Sequence, residues 1–397
     1  MRDKTKLVHM PDVSTDGFSA LGAPVNRAST IVFPSAEAYS TRADRGPEGY
    51  SYGLYGTPTT RILEAKLSQA SGAARTLLVP SGQGANAIAA LAVLSRGDHV
   101  LIPDTAYPAM RSLATQDLTR LGIETEFYDP TSLDDLRARL KAETRLVWCE
   151  SPGSTTMEVQ DYPAIVEIAH KSGALVGCDN TWATFISLKP LEMGFDIVTE
   201  AITKYASGHA DVLMGAIMLA DTHTAETIRG FMGHMGIGVS PDDAWLALRG
   251  LETMYLRYTQ SRQGAERLVE RFTAHESVER ILWPPIPGSP GHEVWKRDFR
   301  DAAGVFSVVF KDGASTRISR ALDSLKVFAI GASWGGTRSL VAPMSISAVR
   351  TVRPWSGDDM ILRVSVGVED ILDLEDDVRR FLDALTDTSA QNTHEAV

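Results

Sequence analysis

Four groups capable of joint chemistry stand in succession along this chain, each just after a short apolar run. Pro80-Ser-Gly-Gln-Gly-Ala85 follows the run Leu77–Pro80 and opens a small-residue helix. Backbone N–H groups at such a helix start can meet an anionic oxygen, and Gly82 and Gly84 let it come close. Asp104-Thr-Ala-Tyr-Pro108 follows the next run, and the Tyr107 ring there can stack on a flat ligand. Asp179-Asn-Thr181 ends Ala174–Cys178, placing a carboxylate where open α/β sheets bind ligands. Ala201-Ile-Thr-Lys-Tyr-Ala-Ser-Gly-His209 then supplies Lys204 ahead of small, turn-forming residues.

Each group has a plainer reading on its own. Most lysines are surface lysines, an aspartate after a strand is often a helix cap, and a loop tyrosine can pack on a sheet edge. The glycine loop is too loose for a dinucleotide fingerprint and lacks the lysine of a P-loop. Their order carries the argument. A phosphate loop, a stacking ring, a carboxylate and an amine along one sheet edge are what pyridoxal 5'-phosphate (PLP) requires. The carboxylate keeps the pyridine nitrogen protonated, so the ring accepts electrons, and the lysine holds the cofactor as a Schiff base.

These groups need a scaffold, and the hydrophobic pattern describes one. Helical spacing over Thr60–Gln69 is followed by the strand Leu77–Pro80 and a helix over Gly84–Ser95. Strands at His99–Pro103, Glu124–Tyr128, Leu146–Cys149, Leu175–Cys178 and Ile197–Thr199 alternate with helices at Pro108–Leu121, Leu133–Ala142 and Tyr162–Ser172. Short apolar strands separated by helices predict an α/β fold with a mostly parallel sheet covered on both faces. After about residue 250 the texture changes: a long helix over Leu251–Ala274, strands at Gly304–Phe310 and Leu362–Val366, and helices at Thr316–Leu325 and Leu372–Leu385. The expected organisation is an N-terminal arm over residues 1–56, a PLP-binding α/β domain over 57–250, and a C-terminal α+β domain over 251–397 that ends in a disordered polar tail.

Composition narrows the partners. The net charge of −11, with acidic residues spread along the chain, argues against a nucleic-acid partner, which needs a basic face. No apolar run is long enough to cross a bilayer, and Met1–Leu7 has no signal-peptide core, so a cytoplasmic protein is expected. The two cysteines, Cys149 and Cys178, lie in apolar strands without metal-ligand spacing; they read as buried, inert thiols, and no metal site is expected.

Longer runs extend the reading. Tyr52-Gly-Leu-Tyr-Gly-Thr-Pro-Thr-Thr60, Ser81-Gly82, Glu150-Ser-Pro-Gly-Ser-Thr-Thr-Met-Glu158, Asp179-Asn-Thr-Trp182, Thr203-Lys-Tyr205, Ser333-Trp-Gly-Gly336 and Arg363-Val-Ser-Val-Gly-Val-Glu-Asp370 closely resemble the Cys/Met-metabolism PLP enzymes of fold type I. The resemblance runs from about residue 20 to 385. Trp182, Trp334 and Gly291-His-Glu-Val-Trp-Lys-Arg-Asp298 are most similar to the cystathionine β-lyase branch, and Ala201 stands where γ-lyases tend to have serine.

That resemblance implies roles. Lys204 anchors PLP and shuttles the Cα proton; Tyr107 stacks on the ring and joins Lys204 as a catalytic group; Asp179 pairs with the pyridine nitrogen. Ser81, Gly82, Gln83 and Thr203 hold the phosphate, and Tyr52 reaches the phosphate of a neighbouring subunit, as in a homotetramer built of dimers with intersubunit sites. Arg363 clamps the substrate carboxylate with its planar fork, beside Ser333 and Trp334. Two departures stand out: Leu54 occupies a position where the family often has arginine, and Gly230 one where some β-lyases have tyrosine, which would reshape the distal pocket.

The expected reaction is α,β-elimination of a sulfur amino acid such as cystathionine to a thiol, pyruvate and ammonia. The alternative within the family is γ-elimination or γ-replacement. A remote one is a non-catalytic PLP-fold binding protein, which predicts a broken anchor, whereas Lys204, Asp179 and Arg363 are all present.

Overall fold

The computed structural model describes residues 16–46, 49–311, 313–355 and 360–386. The expected disordered tail, from residue 387 on, and the first fifteen residues of the arm lie outside them.

Seven strands build the first sheet: β1 (Arg75–Val79), β2 (His99–Pro103), β3 (Glu124–Tyr128), β4 (Thr144–Glu150), β5 (Leu175–Asp179), β6 (Ile197–Glu200) and β7 (Gly215–Leu219), in the order β1-β7-β6-β5-β4-β2-β3. All strands run parallel except β7, which is antiparallel to both β1 and β6. The sheet is thus the mostly parallel one expected from the pattern, with one reversed member that the pattern did not reveal. β7 is fully buried and apolar, so no alternation marks it.

Side chains alternate between two apolar layers, as the two-residue period of a strand demands. Val147, Cys149, Val176, Cys178 and Met218 face one layer, whereas Leu146, Trp148, Ile197, Ile217 and Leu219 face the other. Burying each such large side chain is worth roughly 1.5–3 kcal/mol. Cys149 and Cys178 stand opposite one another in register, free and buried, and burial pushes the Cys149 thiol up to about 12. They are the inert thiols that the sequence suggested.

A second sheet of β8 (Val278–Leu282), β9 (Val305–Phe310), β10 (Ala329–Ile330), β11 (Leu340–Ser345) and β12 (Met360–Ser365) has the order β10-β11-β12-β9-β8. Its pairings are antiparallel except β10 with β11. The helices Met254–Thr273 and Ile371–Thr386 pack on it through Leu268, Phe272, Val378 and Phe381.

Two predicted helices are interrupted. Residues 251–274 break at Thr253, which ends one helix (Pro241–Glu252) and opens the next (Met254–Thr273). The guanidinium of Arg257 is folded back there, donating to the carbonyls of Gly250 and Tyr205. The stretch from Pro108 runs as α-helix to Ser112 and then as a wider π-turn over Leu113–Leu118. Apolar spacing cannot distinguish these, because every turn buries the same face.

Candidate active site

The parallel strands β1, β2, β4, β5 and β6 end on the same edge of the sheet, and each delivers a group to one cavity of about 240 Å³. Ser81, Gly82, Gln83, Tyr107, Glu150, Asp179, Thr203, Lys204, Trp334 and Arg363 line it. Four distant sequence segments from the first sheet therefore converge as the motif order implied.

The turn after β1 is set by Ser81, whose hydroxyl oxygen accepts from the Gly84 N–H (2.9 Å) and caps the helix Gly82–Val93. A side chain at Gly82 would strike Ala201, its Cβ lying 2.4 Å from that of Ala201. Gly215 is as constrained: a Cβ there would sit 2.2 Å from the Ser81 carbonyl. Both glycines let β7, the Lys204 turn and the capped helix end approach closely, and Gly82 and Gln83, whose N–H groups belong to the helix's unpaired first turn, line the cavity.

At the end of β5, three donors hold the carboxylate of Asp179. Asn86 Nδ2 donates at 3.0 Å to one oxygen; the Thr181 N–H and hydroxyl donate at 2.9 and 2.5 Å to the other. Asn86 is oriented by Thr199, whose hydroxyl donates to its side-chain oxygen at 2.6 Å. Thr181 also accepts from the Ala201 N–H at 2.8 Å, tying the Asp179 turn to the Lys204 turn. Sequence reasoning missed Asn86, Thr181 and Thr199. Asn86 had a signal, being the polar residue of an otherwise apolar stretch of helix.

Lys204 follows β6 in a turn closed by its own N–H to the Ala201 carbonyl (3.0 Å) and by the Gly208 N–H to its carbonyl (2.8 Å). Its ammonium donates to Ser333 Oγ at 2.8 Å and lies 5.2 Å from the centre of the Trp334 ring. Burial, and then the Arg363 charge, lower its pKa to about 8, against the pull of Asp179. Arg363 is buried on β12 and donates to the Ala332 carbonyl, which anchors the loop carrying Ser333 and Trp334. Trp182 is buried, and its indole N–H reaches the Val305 carbonyl (3.1 Å), bridging to β9.

Tyr107 is 45% exposed and lines the cavity, where its ring can face a flat ligand. Asp104 fixes its loop by accepting from Arg111, Thr351, Val352 and Arg353. Thr155 and Met157 line the cavity as non-glycine residues with positive φ (71° and 63°), a strained loop that sequence patterns do not reveal.

Four of the singled-out residues have surroundings that the order along the chain did not reveal. Thr203 lines the cavity, yet its hydroxyl already donates to the Met214 carbonyl (3.1 Å) and accepts from the Met214 N–H (3.0 Å), so it must rotate to donate elsewhere. Tyr52 is half exposed and does not line the cavity of its own chain. Gly230 and Leu54 are not in the cavity either. Gly230 lines a separate hollow with Gly46, Ser51 and Tyr55, and Leu54 lines another with Tyr55 and Gly238. The departure at Gly230 therefore does not reshape the Lys204 cavity within one chain.

The fold and the site define a PLP-dependent enzyme of fold type I. Residues 4–383 match the family described as Cys/Met metabolism PLP-dependent enzyme, and the chain belongs to that family. Cystathionine beta-lyase MetC of Escherichia coli (strain K12) is 35% identical over 385 residues, covering 94% of this chain and 97% of that protein. L-alanine/L-glutamate racemase of Wolbachia pipientis wMel is 34% identical over 394 residues, covering 96% and 97%. Among solved structures, cystathionine gamma synthase from Xanthomonas oryzae pv. oryzae aligns with a TM-score of 0.85 at 28% identity, covering 93% and 95%.

PLP is the cofactor, and the cavity fits it. The helix-start N–H groups of Gly82 and Gln83, residues that line the cavity, suit a phosphate. The triply held carboxylate of Asp179 suits a protonated pyridine nitrogen, and the half-buried Lys204 amine shares its cavity.

Proposed function

We propose that this enzyme cleaves a carbon–sulfur bond by α,β-elimination, converting cystathionine or a related cysteine conjugate to a thiol, pyruvate and ammonia. The observation that carries the reading is the Lys204 amine, set between the Asp179 turn and Arg363 with a pKa drawn down to about 8. An amine so placed is a base of the right strength near neutral pH.

When bound, PLP supplies an electron sink for the pair left behind at Cα. Lys204 would hold it, and its free amine would take the Cα proton. Asp179 would keep the pyridine nitrogen protonated, and Tyr107 would cover the ring. The N–H groups of Gly82 and Gln83, with the Ser81 hydroxyl, would hold the phosphate. Arg363 orients the substrate by clamping its carboxylate, which sets the Cα–H bond toward Lys204. Ser333 steadies the amine between turns, and Trp334 walls the cavity against water. The substrate loses its Cα proton and its Cβ thiolate, and the three-carbon remainder hydrolyses to pyruvate and ammonia.

Support for the β-reaction comes from Trp182 and Trp334, which resemble the β-lyase branch, and from the 35% identity to the E. coli β-lyase. The second reading, γ-elimination or γ-replacement, draws on the fold likeness to the Xanthomonas γ-synthase. Incubation with L-cystathionine separates them. Pyruvate with homocysteine supports β-elimination; 2-oxobutyrate with cysteine overturns it in favour of the γ-reaction.

The same reading places the enzyme in the cytoplasm as a dimer of dimers, with residues 1–56 as an arm, 57–250 as the PLP-binding unit and 251–397 as the C-terminal unit. Tyr52, half exposed and outside its own cavity, is then free to reach the phosphate of a neighbouring subunit. Sedimentation of the holoenzyme tests this: a monomer overturns it.

A further inference from the structure

One carboxyl in the cavity has no part in the chemistry above. Glu150 ends β4, and the β4–β5 register pairs it directly with Asp179. Its backbone N–H donates to Gln160 Oε1 at 3.0 Å, which fixes the strand end. Its side chain reaches the other way: Oε2 accepts the backbone N–H of Tyr107 at 2.6 Å. Oε1 has no hydrogen-bond partner among the described residues, and the residue lines the cavity.

The two neighbouring carboxyls are supplied very differently. Asp179 has three donors and Glu150 has one. Two carboxylates side by side in a buried site repel, and the one with fewer donors is the one that keeps its proton. The charged groups around Glu150 are Asp179 on β5 and Arg350 from the segment before β12, with Lys204 lining the same cavity. Burial first, and then the Asp179 charge, push the Glu150 carboxyl well above the usual range, against the Tyr107 N–H and Arg350.

We propose that Glu150 is a positioning residue of the cofactor site, acting as a neutral acid that seats the Tyr107 loop through Oε2 and presents a proton donor to the cavity through Oε1. Its neutrality matters because a second negative charge at that strand end would compete with Asp179 for the cation the site is built around. Seating Tyr107 by its backbone fixes where the ring begins, so the stacking face depends on a residue that never touches the ring. This inference rests on the cofactor site proposed above.

The tests use Glu150→Gln and Glu150→Ala. A glutamine amide accepts through its oxygen and donates through its nitrogen, which reproduces the neutral acid. Cofactor titration of the apo-protein should give E150Q an affinity within about threefold of the parent. E150A, which leaves the Tyr107 N–H without its acceptor, should bind about tenfold more weakly or worse. E150Q as weak as E150A would overturn the neutral-acid role, and E150A equal to the parent would overturn the positioning role.

Two readouts need neither turnover nor E150A. Burial pushes the Glu200 carboxyl up to about 8, so it contributes a protonated-acid carbonyl stretch of its own, and the apo-protein at neutral pH should show a second such component that E150Q loses; an identical spectrum in E150Q overturns the proposal. The stability difference has a fixed sign as well. A carboxyl whose folded pKa is raised contributes stability below its unfolded pKa and loses it as pH rises toward the folded value. The melting temperature of E150Q should therefore gain on the parent from the ordinary carboxylate range to neutral pH, and a gap that stays flat counts against it. Failure of Lys204 or Asp179 to bind PLP would leave these two apo readouts intact, so the two failures are distinguishable.

Discussion

The first sheet and the second sheet supply the cavity in different ways. The first contributes groups at the ends of five parallel strands, where Ser81, Tyr107, Glu150, Asp179 and Lys204 each follow or end a separate strand. The second contributes Arg363 from within β12 and Trp334 from the loop before β11. On the first sheet the side chains are locked to one another, Asn86 to Asp179 to Thr181 to Ala201. Links to the second sheet and the segment before β12 run from several points: Lys204 to Ser333, Trp182 to the Val305 carbonyl, Ser307 to the Thr155 carbonyl, and Asp104 to Thr351, Val352 and Arg353. The difference teaches that Asp179 and the Lys204 turn are tied together within one sheet edge, whereas the Tyr107 loop and the Arg363 side depend on how the C-terminal part docks on it.

Breaking the first-sheet side should have the largest effect. Lys204→Ala removes the proposed anchor and base together and should lower kcat by roughly 10²–10⁴-fold or more. The absorbance band of lysine-bound PLP should vanish with it. Turnover with the band intact would shift the anchor to another residue.

Arg363→Lys attacks the second-sheet side alone. Losing a bidentate fork at a buried site should cost about 2–3 kcal/mol, or roughly 10²-fold in kcat/KM. The cofactor band should be unchanged. Loss of the band would mean that the two sides are not separable as described.

Ser333→Ala sharpens the seam between them. One hydrogen bond from Lys204 is lost, worth about 1 kcal/mol or fivefold in rate, with the fold intact. A change above tenfold would make Ser333 a direct participant in the chemistry.

The smallest effect is one of pH. Because burial and the Arg363 charge depress Lys204, its neutral amine fraction in the apo-protein grows as pH rises and saturates past about 8. The rate of PLP uptake should follow that curve, measured by stopped-flow absorbance. In the Arg363→Lys variant the midpoint should stay near that of the parent because a cation remains, whereas Arg363→Ala should raise it. The opposite shift would remove Arg363 as a cause.

Much of this was legible without coordinates, for a physical reason. Groups after strands of a parallel sheet fall on one edge whatever the strand order, so Ser81, Tyr107, Asp179 and Lys204 could be joined from their order alone. Apolar runs with two-residue and helical periods marked most of those strands and the helices between them. The reversed strand β7 and the break at Thr253 left no such trace, because a buried apolar run and a refolded helix joint have the same composition as their neighbours.

The sequence by itself determined the cofactor and the class of enzyme and pointed to Lys204 as the candidate anchor, since these readings rest on residue types in a fixed order along the chain. Tertiary structure alone decided what surrounds them. Asn86 and Thr181 hold Asp179, Glu150 lies beside it through the β4–β5 register, Met214 engages the Thr203 hydroxyl, and Gly230 faces a different hollow. Such contacts join residues far apart in the chain, and no local period or spacing encodes which of them meet.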